Sequence, residues 1–135
     1  MKILVTGSTG FLGKEVCKIL KLKKMDIYKI SSKKKKGYIT CNLENHNKIK
    51  KILKEIKPDI IINMAAIINF KKKNIEQFKL NFQLPGVFAD YSKKFKKFLI
   101  HVSTVYVHGE KKKYSIKSKF DNSTAYGRSK LKGDN

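Results

Sequence analysis

The sequence predicts an α/β chain: a doubly wound, all-parallel sheet with helices on both faces. Three observations predict it. Short runs of Ile, Leu and Val recur without polar alternation, the pattern of strands buried on both sides. Amphipathic stretches with a helical period separate most of these runs. The first run ends in a glycine turn that opens directly into such a stretch.

Each element follows in order. Residues 2–6, Lys-Ile-Leu-Val-Thr, form an apolar run ended by Gly7 and read as a buried strand. Residues 11–24 set Phe11, Leu12, Val16, Ile19, Leu20 and Leu22 at helical spacing. Residues 26–30 read as a second strand, 31–37 as a polar loop and 38–41 as a short third strand. Residues 45–56 repeat Ile49, Ile52, Leu53 and Ile56 on one helix face. Pro58 closes that helix, because the residue before a proline resists helical geometry. Residues 59–64, nearly all Ile, form the fourth strand. Residues 75–95 carry a helical stripe with Pro85-Gly86 inside it, which predicts a kink there. Residues 98–103 give a fifth strand and 105–122 an irregular connection. A last helix starts at Ser123, its expected N-cap. Right-handed crossovers place the carboxyl ends of all strands on one edge, so functional residues are expected just after the strands.

Composition narrows the function classes. The 135 residues make one domain, residues 1–135. The net charge of +22 points first to nucleic acid, but only Arg128 among the 32 basic residues is an arginine. Nucleic-acid readers rely on arginine's planar fork. Here lysine is spread over the whole chain beside abundant Ile and Asn, as a compositional bias of the source gives, so no specific nucleic-acid partner is expected. Cys17 and Cys41 lack metal spacing and read as reduced thiols. His46, His101 and His108 form no ligand pattern, so no metal is expected. No leader peptide is evident, and the longest apolar stretch, 60–68, is too short to span a bilayer. A cytoplasmic protein without a membrane partner is expected.

The glycine turn carries the first chemical reading. Gly7 permits a sharp turn, Gly10 leaves room for a pyrophosphate, and Gly13 lets the helix lie close to the sheet. The helix N-terminus offers unpaired N–H groups and a partial positive charge to a phosphate. A dinucleotide is therefore expected over Gly7, Ser8, Thr9, Gly10, Phe11, Leu12 and Gly13. Strand two ends in Ile30-Ser31-Ser32-Lys33-Lys34, with no carboxylate to hold a ribose 2′-hydroxyl. Ser31, Ser32 and Lys33 favour a 2′-phosphate, so NADP (as NADPH) is the favoured coenzyme and NAD the alternative. After strand four, the small Ala65 and Ala66 allow close approach to the coenzyme.

The second reading is catalytic. Tyr126 and Lys130 lie four residues apart and share one helix face. A tyrosine pKa of ~10 is too high for easy proton exchange at neutral pH. A neighbouring ammonium would lower it and make Tyr126 a general acid and base. Thr104, or neighbouring Ser103, at the end of strand five, can hold a substrate carbonyl.

The Gly-x-x-Gly-x-x-Gly spacing behind Thr6 resembles the extended short-chain dehydrogenase/reductase family. Ser-Thr-Val-Tyr-Val-His-Gly at 103–109 and Ala-Tyr-Gly-Arg-Ser-Lys-Leu-Lys-Gly at 125–133 are similar to segments of its dTDP-4-dehydrorhamnose reductase group and sugar-nucleotide relatives. Val105 stands where that group has Asp, and Asp134 where Glu is common. The resemblance implies a Rossmann-like NAD(P)-binding fold. It makes Thr104, Tyr126 and Lys130 the catalytic set, with Tyr126 and Lys130 also touching the coenzyme. It sets Asn42 and Leu43 against the adenine and Asn81 near the active site. The implied activity is an NAD(P)-dependent oxidoreductase of nucleotide-sugar metabolism, on the route to dTDP-rhamnose. Hydride would go to a sugar 4-keto group with Tyr126 as proton donor, and the implied partner is a nucleotide sugar. Full-length members are often dimeric. Their second half builds the lobe that grips the sugar, so the chain is expected to be truncated before that lobe. Two alternatives stay open: an NAD-dependent epimerase or dehydratase, and a non-enzymatic NAD(P)-binding module.

Overall fold

The computed structural model describes residues 1–69, 75–109, 113–115, 117–121 and 123–135, except the side chains of residues 75 and 76. The elements are β1 (Lys2–Thr6), α1 (Phe11–Leu22), β2 (Asp26–Ser31), β3 (Ile39–Thr40), α2 (His46–Ile56), β4 (Ile60–Asn63), α3 (Ile75–Phe78), α4 (Leu84–Phe95), β5 (Phe98–His101) and α5 (Ala125–Asp134). A π-helical turn, Lys79–Gln83, joins α3 to α4, and a 3-10 turn, Val105–Val107, follows β5.

The sheet order is β3-β2-β1-β4-β5, and every pairing is parallel. This is the predicted doubly wound α/β sheet. The apolar runs explain it: Leu4 and Ile61, paired in register at its centre, are both fully buried. One face packs Leu4, Ile30 and Ile61 against Ile49, Leu53, Leu84 and Phe88 of α2 and α4. The other packs Ile3, Val5 and Ile62 against Val16, Cys17 and Leu20 of α1. The two cysteines are free thiols in these separate cores. β5 is the outer strand, and Phe98 and Ile100, in register with Ile60 and Ile62 on the α1 side, are exposed.

Helix ends follow their local chemistry. Asn45 caps α2 by accepting from the Lys48 amide, and α2 stops at Ile56, before Pro58, with Lys57 in the left-handed region. The last helix corrects the expected cap. Thr124, not Ser123, is the N-cap, its hydroxyl accepting from the Gly127 amide at 2.9 Å. Ser123 lies one residue ahead of the cap, its amide donating to the Asp121 carboxylate.

The expected kink at Pro85-Gly86 is also corrected. Pro85 sits in the first turn of α4, and the irregularity falls upstream as the π-helical turn. The reason is that proline rejects the hydrogen bond to the carbonyl four residues back, here Asn81. That carbonyl packs against Gly133 of α5, where any Cβ would collide with it. The residue-81 backbone thus lies in close contact with α5.

The stretch 105–122 is less irregular than expected, although 110–112, 116 and 122 lie outside the described residues. His108 bridges to Asp121, and the Tyr114 hydroxyl donates to the Gly109 carbonyl at 2.8 Å. His108 also stacks on Phe120, with ring centres 5.3 Å apart. Among the described residues, no helix is long and apolar enough to cross a membrane.

Candidate functional site

Parallel strands bring Thr6, Ser31, Thr40, Asn63 and His101 to one edge of the sheet. The turn after β1 opens there. Gly7 has φ +68°, and a Cβ on it would also lie 2.5 Å from the Met64 carbonyl carbon. Gly13 is buried, and a Cβ there would overlap the Gly7 carbonyl oxygen. The protein itself requires both glycines. Gly10 differs: its φ of −73° suits any residue, and a Cβ would meet only the Gly7 carbonyl oxygen, at 3.3 Å. Packing does not explain it; open space beside the backbone does.

Other features of the turn agree with an anion. Gly10 caps α1 without a side-chain hydrogen bond, and the first turn of α1 holds no acidic residue. Its unpaired amides therefore keep their partial positive charge. The Ser8 hydroxyl is 1% exposed yet lacks a hydrogen-bond partner among the described residues. A buried, unsatisfied hydroxyl costs about 1–3 kcal/mol, and a phosphate oxygen would relieve it. These residues fit a dinucleotide's diphosphate. Thr9, Phe11 and Leu12 are exposed around them, Phe11 at 92%.

After β2, Ser31 accepts from the Lys33 amide at 3.2 Å, leaving its O–H to donate, and Ser32 and Lys33 are exposed. Asn42 is exposed, and its carboxamide oxygen accepts from the Glu44 amide. Leu43 leans on the α2–α4 core. Ala65 is buried behind the turn, while Ala66 is exposed.

Asn81 is fully buried, and its carboxamide is committed. Its oxygen accepts from the Ile67 amide; its nitrogen donates to the Ile67 carbonyl and the Ser129 hydroxyl. It ties the segment after β4 to α5.

Thr104 and Tyr126 come together. Thr104 caps the 3-10 turn, accepting from the Tyr106 amide, and its hydroxyl hydrogen-bonds the Tyr126 side chain. Tyr126 is 7% exposed and packs edge-on against Tyr106, with ring centres 6.0 Å apart. Burial pushes its pKa up, the Thr104 hydrogen bond pulls it down, and the Asp134 and Tyr106 charges raise it further. The sequence predicts Lys130 as the group that lowers it; here the lowering comes from the Thr104 hydroxyl, and burial is the largest effect. Lys130 is 1% exposed and donates to the Val102 carbonyl at 2.7 Å, with the His101 Nε2 2.9 Å away. Burial pushes its pKa down, and Asp134 opposes this.

Sequence reasoning missed two residues at this edge. Asn63 and His101 end neighbouring strands in register, and Asn63 Nδ2 lies 3.0 Å from His101 Nδ1. Both lie inside the predicted strands 59–64 and 98–103, ahead of the positions just after the strands where functional residues are expected. Beside Thr104, a cavity of about 660 Å³ is lined by Ser103, Val105, Val107, His108, Tyr114 and Phe120.

A family model described as the RmlD substrate binding domain matches residues 1–135. The spore coat polysaccharide biosynthesis protein SpsK of Bacillus subtilis is 29% identical over 139 residues, covering 98% of this chain and 47% of that protein. A hypothetical dTDP-4-dehydrorhamnose reductase from Sulfolobus tokodaii superposes with a TM-score of 0.87 at 29% identity, over 99% of this chain and 50% of that one. Bordetella bronchiseptica WbmG, solved with NAD, superposes with a TM-score of 0.85 at 22% identity, over 99% and 48%, a likeness of fold. The chain spans about half the length of these proteins.

Proposed function

Because the chain belongs to the RmlD substrate binding domain family, we propose that it is the coenzyme-binding and catalytic part of a nucleotide-sugar oxidoreductase of the dTDP-4-dehydrorhamnose reductase type. The nucleotide sugar is its partner, and residues 1–135 form its NAD(P)-binding domain. The observation that carries the reading is one sheet edge. It holds both a phosphate-ready turn, with Gly10 open and the Ser8 hydroxyl unpartnered, and the hydrogen-bonded pair Thr104–Tyr126.

Ser8, Gly10 and the first amides of α1 would hold the diphosphate, with Ser31, Ser32 and Lys33 at a ribose 2′-phosphate. The nicotinamide coenzyme supplies hydride when bound. The chain supplies the proton. Burial holds the phenol of Tyr126 protonated at rest, while the Thr104 hydrogen bond favours the phenolate that is left once the proton passes to an oxygen gaining charge. Thr104 orients that oxygen through its hydroxyl. Lys130 steadies the phenolate left behind. The cavity beside Thr104 gives a sugar room.

Fluorescence titration with NADPH and NADH tests the coenzyme reading. NADPH is expected to bind about tenfold more tightly, a difference of about 1.4 kcal/mol. Tighter NADH would reverse the preference, and no binding of either would remove the function. With a 4-keto nucleotide sugar, a reductase consumes coenzyme stoichiometrically, whereas catalytic turnover on a trace of coenzyme would reassign the chain to the epimerases and dehydratases.

A further inference from the structure

Lys130 is nearly inaccessible, so its ammonium needs acceptors supplied by the protein. Two are present: the Val102 carbonyl at 2.7 Å and the His101 Nε2 at 2.9 Å. We propose that His101 is a positioning residue for Lys130: a neutral imidazole, protonated on Nδ1, whose Nε2 lone pair receives the Lys130 ammonium and aims its remaining N–H at the coenzyme. The proposal rests on the catalytic reading of Lys130 above.

Hydrogen-bond accounting supports it. An ammonium only donates, so the ring nitrogen facing it must accept. The ring proton then lies on Nδ1, which faces the Asn63 carboxamide at 3.0 Å. A half-turn of that carboxamide, which exchanges two atoms of similar size, puts its oxygen on Nδ1–H. Its nitrogen then faces the Thr6 hydroxyl oxygen, which in the structure donates to the Asn63 carboxamide oxygen at 2.5 Å; this contact opens by a few tenths of an ångström to take an N–H donor. Asn63 and Thr6 are fully buried, so this chain has no water to fall back on. The third N–H of Lys130 has no acceptor among the described residues. One competitor exists: Asp134 Oδ1, 3.5 Å from the same Nε2, would favour a proton there. Ser103 engages Asp134 by donating its hydroxyl to the other carboxylate oxygen.

The ring proton can be read directly by long-range nitrogen–proton correlation NMR on the isotope-labelled full chain. At neutral pH the expected result is a protonated Nδ1 and a bare Nε2. A proton on Nε2 would overturn the proposal, whether it faced Asp134 or a neutral Lys130 amine. A second arm measures coenzyme affinity. His101→Phe is expected to weaken it about tenfold, and His101→Gln, whose carbonyl oxygen can still accept, to keep it within about threefold of the parent. If His101→Phe binds like the parent while Lys130→Met does not, Lys130 needs no support from His101. If Lys130→Met also binds like the parent, the coenzyme role of Lys130 fails, and the ring resonances still decide the tautomer.

Discussion

Tyr126→Phe is expected to cut turnover of a 4-keto nucleotide sugar by at least about 100-fold while leaving coenzyme affinity unchanged. The substitution keeps the ring that packs against Tyr106 and removes only the hydroxyl bonded to Thr104. Thr104 still accepts from the Tyr106 amide, and, being only half-buried, it can turn the hydroxyl proton that Tyr126 received toward solvent. Burial raises the phenol's pKa, so the proton stays on Tyr126 at neutral pH and is present when the sugar oxygen needs it. Steady-state rates in the protein that carries this chain, paired with fluorescence titration of the coenzyme, check both halves. Unchanged turnover would remove Tyr126 as the proton donor. A parallel loss of coenzyme affinity would make its role one of binding.

The glycine turn makes the second large prediction, because its three glycines are there for different reasons. Gly13→Ala forces a Cβ into the Gly7 carbonyl oxygen and to 2.7 Å from the Ser8 Cα, both backbone atoms that cannot swing aside. Overpacking of this kind costs about 1–3 kcal/mol. Gly10→Ala meets one atom at 3.3 Å, at an N-cap whose dihedrals suit alanine. Its stability cost is about 0.5–1 kcal/mol, that of a poorer cap, yet the new methyl group stands where a diphosphate would lie. Its dinucleotide affinity is expected to fall at least about tenfold. Urea unfolding and coenzyme titration of the two variants separate the causes. A Gly10→Ala chain that binds like the parent would leave Gly10 without a ligand to explain it.

Much of this was legible in the chain. The apolar runs of β1 and β4 mark these segments as buried strands, and parallel topology follows from the amphipathic stretches between the strands. The roles of Gly7 and Gly13 could be read from spacing, because a turn and a close helix impose them locally. The π-helical turn was not legible: Pro85 disturbs the carbonyl four residues upstream, so its effect appears at Asn81 rather than at the proline. Thr124 and Ser123 are adjacent and both carry capping hydroxyls, so the sequence alone does not say which one the Gly127 amide reaches; in the fold it is Thr124. The Asn63–His101–Lys130 chain depends on cross-strand register and on an α5 side chain reaching back to β5, neither of which spacing along one sequence encodes. The same long-range packing governs Tyr126, whose pKa follows its burial and its hydrogen bond to Thr104.

The claim beneath all of these assignments is that the amino end of α1 receives a diphosphate. Titrating NADPH into the isotope-labelled chain and following backbone amide resonances tests it residue by residue. The largest shifts are expected at Ser8, Gly10, Phe11, Leu12 and Gly13, with smaller ones at Ser31, Ser32 and Lys33. Saturable shifts centred elsewhere, with the turn after β1 unmoved, would contradict it.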